Sequence, residues 1–185
     1  MKISKEFIVT KGTAVIYPEY TEEGVLQSVA MEGNVLKRVN QKPTEVIDRN
    51  LRYYGSSLRG AKDSTKVILG DVFMSPVVIN ELLNIFFFPS KSPHKPDCIW
   101  FALYHIRSYI EIDAKRTCVT FINGAKFKVD VSYYSFNSRY QTACKYKNLI
   151  DGRTNQLMIN EMNHSATYLI MKDRSNRNFG VKEEE

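Results

Sequence analysis

Short alternations of apolar and polar residues fill the first forty positions of the chain and predict strands. Phe7–Thr10 and Thr13–Tyr17 flank Lys11-Gly12, and Val25–Met31 and Val35–Val39 flank Glu32-Gly33-Asn34, so an antiparallel meander is expected. The period changes after Pro43. Laid on a helix, Ile47, Leu51, Tyr54, Leu58, Ala61 and Thr65 share one face at spacings of three and four. Gly55 and Gly60 each cost about 1 kcal/mol against alanine inside a helix. A single interrupted helix, and two helices with the second capped by Ser56 or Ser57, are both compatible with this run.

Strand patterns return over Val67–Met74, Val77–Ile79 and Ile85–Phe88, with Asn80–Asn84 compatible with a helical turn. The prolines of Pro89–Pro96 predict a loop, and the β-branched and aromatic run Cys98–Ile112 predicts strand. Val119 and Phe121, then Asn123-Gly124, then Phe127, Val129 and Val131 alternating with Lys126, Lys128 and Asp130 form the pattern of a type I′ hairpin. Ser132 or Ser135 is placed to cap a helix from about 134 to 149. Its buried face would hold Phe136, Tyr140, Ala143, Cys144 and Ile150, leaving Arg139, Lys145 and Lys147 solvated. Beyond it, Leu157–Met162 and Tyr168–Met171 are weak signals for one further element, and SNRNFGVKEEE reads as a flexible end. The expected class is α+β, mostly antiparallel strands and hairpins with two or three helices. Residues 1–150 would form a single domain and 151–185 a partly flexible C-terminal extension.

With 43% hydrophobic and 25% charged residues the chain has the composition of a folded globular protein. Its three cysteines, Cys98, Cys118 and Cys144, are an odd and widely spaced set, which fits reduced thiols in a cytoplasm better than a disulfide framework. Glu6 and Lys11 bracket too short an apolar stretch for a signal peptide, and Val77–Phe88 is broken by Asn80, Glu81 and Asn84 before it approaches a membrane span. A cytoplasmic protein without membrane attachment is expected. His94, His105 and His164 have no metal-ligand spacing, and no phosphate-binding glycine motif or serine nucleophile elbow is present. Cys98 with His105, or His105 with Asp113, is the enzymatic alternative, and it requires those groups to share a pocket. No catalytic residue, metal or cofactor is therefore assigned.

A net charge of +6 favours polyanionic partners, and its placement gives the attraction chemical content. Nearly opposite the apolar face of the central helical run lie Arg49, Arg52, Ser56, Arg59, Asp63 and Lys66, with Ser57 and Lys62 beside them. Cations interleaved with small hydroxyl residues suit a phosphate backbone, and arginines suit the negative potential of a narrow A·T-rich minor groove. Arg139, Lys145 and Lys147, with Arg153, form a secondary basic group, and Lys172, Arg174 and Arg177 a third. The bland reading of each is a solvated face. The other binding alternative is a non-enzymatic interaction module whose basic face meets an acidic protein. The DNA reading requires Arg49, Arg52 and Arg59 to project outward together, free of internal ion pairs. Tyr53, Tyr54, Tyr133 and Tyr134 have the chemistry to stack on unpaired bases, and equally that of residues straddling core and solvent.

The run VIDRNLRYYGSSLRGAKDSTKVILG resembles the signature of the competence transcription factor family (ComK), with its Asp-Arg, paired aromatics and Gly-Ser-Ser. Later features follow in the family's order: FFFPS, a proline loop, CIW at Cys98–Trp100, an apolar segment with His105, the Asn-Gly hairpin, and VSYYSF leading to Arg139 and Tyr140. The likeness extends from about Val39 to Lys147. It implies an activator of DNA-uptake genes that recognises paired A·T-rich promoter boxes, largely through the minor groove of double-stranded DNA, as a homo-oligomer (a dimer or a dimer of dimers). It also implies an adaptor that hands the protein to a Clp-type protease. The stretch NQLMINEMNHSATYLIMKDRS, where relatives carry the adaptor's motif, departs from the family pattern.

Overall fold

The computed structural model describes residues 6–160, 167–172 and 179–184. The chain divides into two compact units, Met1–Leu149 and Ile150–Glu185. In the first, six antiparallel strands form one sheet: β1 (Thr13–Tyr20), β2 (Leu26–Glu32), β3 (Val35–Val39), β4 (Val77–Asn80), β5 (Ile85–Pro89) and β6 (Trp100–Ala102). Their order is β3-β2-β1-β6-β5-β4, two meanders laid side by side. Val15 opposite Phe101 and Ile16 opposite Trp100 make the seam. Between the meanders the chain forms α1 (Pro43–Tyr53) and α2 (Leu58–Leu69). After β6 a short 3-10 turn, Leu103–His105, leads into a second sheet of β7 (Ile106–Asp113), β8 (Arg116–Phe121) and β9 (Lys126–Val129), followed by α3 (Tyr133–Asn160).

The period-two pattern of the central strands sorts their side chains into two cores. Ile16, Ile85, Phe87, Trp100 and Ala102 face α1 and α2, where Val46, Ile47, Leu51 and Ala61 complete an apolar cluster with Val9 and Val39. Phe88 and Phe101, next along the same strands, point the other way. They meet Phe136 of α3 at ring separations of 5.7 and 5.2 Å, and Phe101 stacks on Phe121 of β8 at 6.3 Å. The unit is thus layered: a helix pair, the large sheet, then the small sheet with α3.

Several expected elements differ. Phe7–Thr10 forms no strand; the backbone there is held by a side chain, with Asn50 Oδ1 accepting from Val9 N at 2.7 Å and Asn50 Nδ2 donating to Phe7 O at 2.9 Å. The β-branched run Val67–Met74 is not a strand either. Its first residues complete α2, which places Ala61 and Thr65 in the core and ends at Gly70. Cys98–Ile112 is broken by the 3-10 turn that carries the chain from one sheet to the other. The Asn-Gly hairpin forms, but not with a two-residue type I′ turn. Gly124 N donates to Phe121 O and Phe121 N to Ala125 O, both at 2.9 Å, so the loop is a three-residue turn with only Gly124 at positive φ (85°). Asn123 instead donates its amide to Gly33 O at 2.7 Å, pinning this turn to the β2–β3 turn.

Ser132 caps α3, its Oγ accepting from Ser135 N at 3.3 Å. In the second unit α3 continues to Asn160 and β10 (Thr167–Lys172) pairs antiparallel with β11 (Phe179–Glu184), so part of the expected flexible end is strand. Glu161, Met162, His164, Arg174 and Arg177 lie outside the described residues.

Candidate nucleic-acid interface

Two helices, not one, carry the central basic residues. Gly55 adopts φ 90°, a conformation open to glycine, and Ser56 N folds back to Leu51 O at 2.7 Å. Ser57 then opens α2, its hydroxyl accepting from Gly60 N at 3.0 Å. Asp48 welds the junction: Oδ1 accepts from Leu58 N at 2.7 Å, and Oδ2 from Arg52 Nε at 2.8 Å. Burial pushes the Asp48 carboxyl up, but the Leu58 N–H and Arg52 outweigh it, and its pKa sits below the usual aspartate value. The first turn of α2 is therefore held against the outer face of α1.

On this surface Arg59 is exposed and Lys62 half-buried, and neither makes an ion pair with any described residue. Spacings of three and four put Arg59, Lys62, Asp63 and Lys66 on the outward side of α2, away from buried Ala61 and Thr65. Arg49, Arg52 and Lys66 are at the surface but partnered, with Glu6, Asp48 and Asp71 respectively. The requirement that Arg49, Arg52 and Arg59 all be free of ion pairs is thus met by Arg59 alone. The Arg52 side chain remains 68% exposed within its pair. Exposed pairs of this kind exchange partners at little cost, so a phosphate can replace the carboxylate. Ser56 is exposed and Ser57 is committed to its cap. Tyr53 stands exposed against the edge of Tyr54, whose ring is partly buried and whose hydroxyl reaches Val9 O at 3.3 Å.

Within the first unit, Arg139, Lys145 and Lys147 do not gather. Arg139 is not solvated: its guanidinium is drawn in, burial pushes its pKa down, and Nη1 is buried with no hydrogen-bond partner among the described residues. Lys147 places its ammonium over the Tyr104 ring, 5.5 Å from the centroid, while Lys145 is exposed two positions earlier on a different face. Arg153 is exposed in the second unit.

Neither enzymatic pairing falls in the cavity that His105 lines. His105 lines a cavity of about 290 Å³ with Thr10, Leu83, Tyr104 and Ile122, and its Nε2 meets Lys11 O at 2.6 Å. Neither Cys98 nor Asp113 lines that cavity. Burial pushes the Cys98 thiol up to about 11, far from an activated thiolate, and Asp113 is bound to Arg116 at 2.6 Å.

Asn50 is the residue that pattern reading passed over. It lies in the middle of α1, right after Asp48-Arg49, fully buried, with its amide bonded to Val9 N, Phe7 O and Val46 O. The signal available was an asparagine on the apolar face of a helix, one position before Leu51.

The fold and this surface define an α+β protein that presents cations from two linked helices on a β scaffold. The chain belongs to the ComK protein family, whose sequence model matches residues 4–155. It is 31% identical over 153 residues to the competence transcription factor of Bacillus subtilis (strain 168), covering 80% of this chain and 79% of that one. No solved structure matches it.

Proposed function

We propose that this protein is a transcription activator of competence genes that binds A·T-rich promoter boxes of double-stranded DNA, largely through the minor groove, and acts as an oligomer on paired boxes. The observation that carries this reading is the cationic face of α2, where Arg59 and Lys62 have no ion partner among the described residues, set beside Arg52 by the Asp48–Leu58 weld. Family membership and the function named for its Bacillus relative support the same reading. Arg49, Arg52, Arg59, Lys62 and Lys66 would supply the cationic contacts, with the Ser56 hydroxyl and the backbone at Ser57 approaching phosphates. Because A·T and T·A present the same acceptors in the minor groove, arginines there read width and potential, and the separation of two boxes would supply the remaining selectivity. The protein would work in the cytoplasm at the nucleoid, as a regulator and not as an enzyme. An adaptor to a Clp-type protease is a further expected partner.

The test is fluorescence anisotropy with A·T-rich and G·C-rich duplexes across a salt series. Wild-type protein should prefer the A·T duplex and lose affinity steeply with salt. Changing Arg52 and Arg59 together to alanine should flatten the log–log slope by about 0.9 for each phosphate contact removed. Unchanged affinity and slope in that variant would show that DNA meets another surface.

A further inference from the structure

The chain leaves α2 through a loop, 70–76, that is fastened to the helix at both ends. Gly70 N donates to Lys66 O at 2.9 Å, and the Asp71 carboxylate takes the Lys66 ammonium at 2.7 Å. At the other end the Thr65 hydroxyl donates to Pro76 O at 2.9 Å. Between these anchors Met74 reverses the backbone at φ 58°, a left-handed conformation uncommon for a residue with a side chain. Beside it stands Phe73, 93% exposed. Val67, next to Lys66 on α2, is also bare, at 78%.

A phenylalanine so exposed forgoes the burial that ordinarily makes this residue a core former. Anchored backbone holds it out, and its position gives it a use. Lys66 shares the outward side of α2 with Arg59 and Lys62, and Asp71, two residues before Phe73, is bonded to that same Lys66. The ring is therefore tethered to the C-terminal end of the cationic row, and the acid beside it is paired. Cations that hold phosphates, with an apolar side chain next to them, are the means by which minor-groove proteins wedge base steps apart and kink the duplex. Tyr53 differs, because its ring already rests against Tyr54. Leu82 is as bare as Phe73, at 92%, but follows Glu81 in the turn at the far end of β4. That turn lies about 13 Å of strand away.

We propose that Phe73 is an apolar wedge that enters the minor groove of an A·T-rich duplex and unstacks one base step while Arg59, Lys62 and Lys66 hold nearby phosphates. The inference rests on the minor-groove reading above and adds to it the residue that deforms the DNA. Phe73 has no polar group with which to read a base edge, so its selectivity comes from deformability. Pyrimidine–purine steps such as TA unstack most easily, and the wedge therefore favours boxes that contain a TA step over uninterrupted A-tracts.

Fluorescence of 2-aminopurine, substituted for one adenine at a time in an A·T-rich duplex with a TA step, tests this alongside anisotropy in the same titrations. Wild type, Phe73→Ala, Phe73→Leu and Leu82→Ala are compared. Wild type should brighten the probe at the TA step, because unstacking relieves its quenching. Phe73→Ala should leave the probe dark and bind at least about fivefold more weakly. Its salt slope should match wild type, because every cation remains, which also shows that the variant folds. Phe73→Leu keeps an apolar wedge and should keep the brightening, and Leu82→Ala should behave as wild type. Phe73→Ala that brightens the probe fully, or an equal loss in Leu82→Ala, overturns the wedge. Wild type that binds without brightening the probe at any position overturns the wedge and leaves the cationic contacts standing. Wild type that does not bind the duplex overturns the DNA reading, and the wedge with it.

Discussion

Asp48 accepts the backbone N–H of Leu58 at 2.7 Å, and through this one contact the last turns of α1 fix the first turn of α2. The same carboxylate holds Arg52, so the acid that dilutes the positive face also assembles it. A charge pattern would count Asp48 against anion binding. Its geometry makes it the organiser of the cationic surface.

Replacing Asp48 by alanine should lower stability by about 1–3 kcal/mol, because a part-buried N–H is left without its charged acceptor. Urea denaturation measures this. The pH dependence has a definite sign. The folded pKa of Asp48 lies below the ordinary 3.8, so its contribution is present above 3.8 and is lost as pH falls through the lower folded value. The stability difference between wild type and Asp48→Ala should therefore shrink on acidification below 3.8 and stay level from there to neutrality, as far as this group is concerned.

Asn50→Leu should be among the more destabilising single changes in the chain. Leucine fits the apolar surroundings but orphans Val9 N and Phe7 O, each worth about 1–3 kcal/mol when buried and unsatisfied. Thermal or urea unfolding should show the loss. Faster hydrogen exchange at Val9 than at Ile16 of β1 would locate it, since the amide clamp replaces sheet pairing for residues 7–10.

Arginines on the helix pair should differ in their effect on DNA affinity. Arg59→Ala removes a cation with no internal partner among the described residues, while Arg49→Ala removes one already engaged by Glu6. The first should cost more affinity at low salt and reduce the salt slope by nearly one unit per contact. Asp63→Asn removes an acid from the same outward face of α2 and should tighten binding. Anisotropy titrations on one duplex compare all three.

Thiol reactivity should follow burial. Cys98, only 1% exposed and with its pKa raised to about 11, should resist iodoacetamide at pH near 8 in the folded state. Cys118, half-buried on β8, should be alkylated first. Mass spectrometry of quenched time points reads the order, and rapid labelling of Cys98 would mean that this end of the sheet opens readily.

The sequence by itself determined the periodicities: the β2–β3 and β8–β9 hairpins, the strand pattern of Ile85–Phe88, the helix after Ser132, and the side of the α1–α2 run that turns outward. These are local properties, set by which residues can face a core two or three to four positions apart. Tertiary structure decided where competing local preferences were balanced. The β-branched run after Lys66 became helix because Ala61 and Thr65 had to reach the core, and Phe7–Thr10 gave up sheet pairing to a single buried amide. Whether Arg49 and Lys66 would be free or paired was equally illegible, since Glu6 and Asp71 lie on segments outside α1 and α2. Ion pairing depends on which segments the fold brings together, and that is a property of packing, not of period.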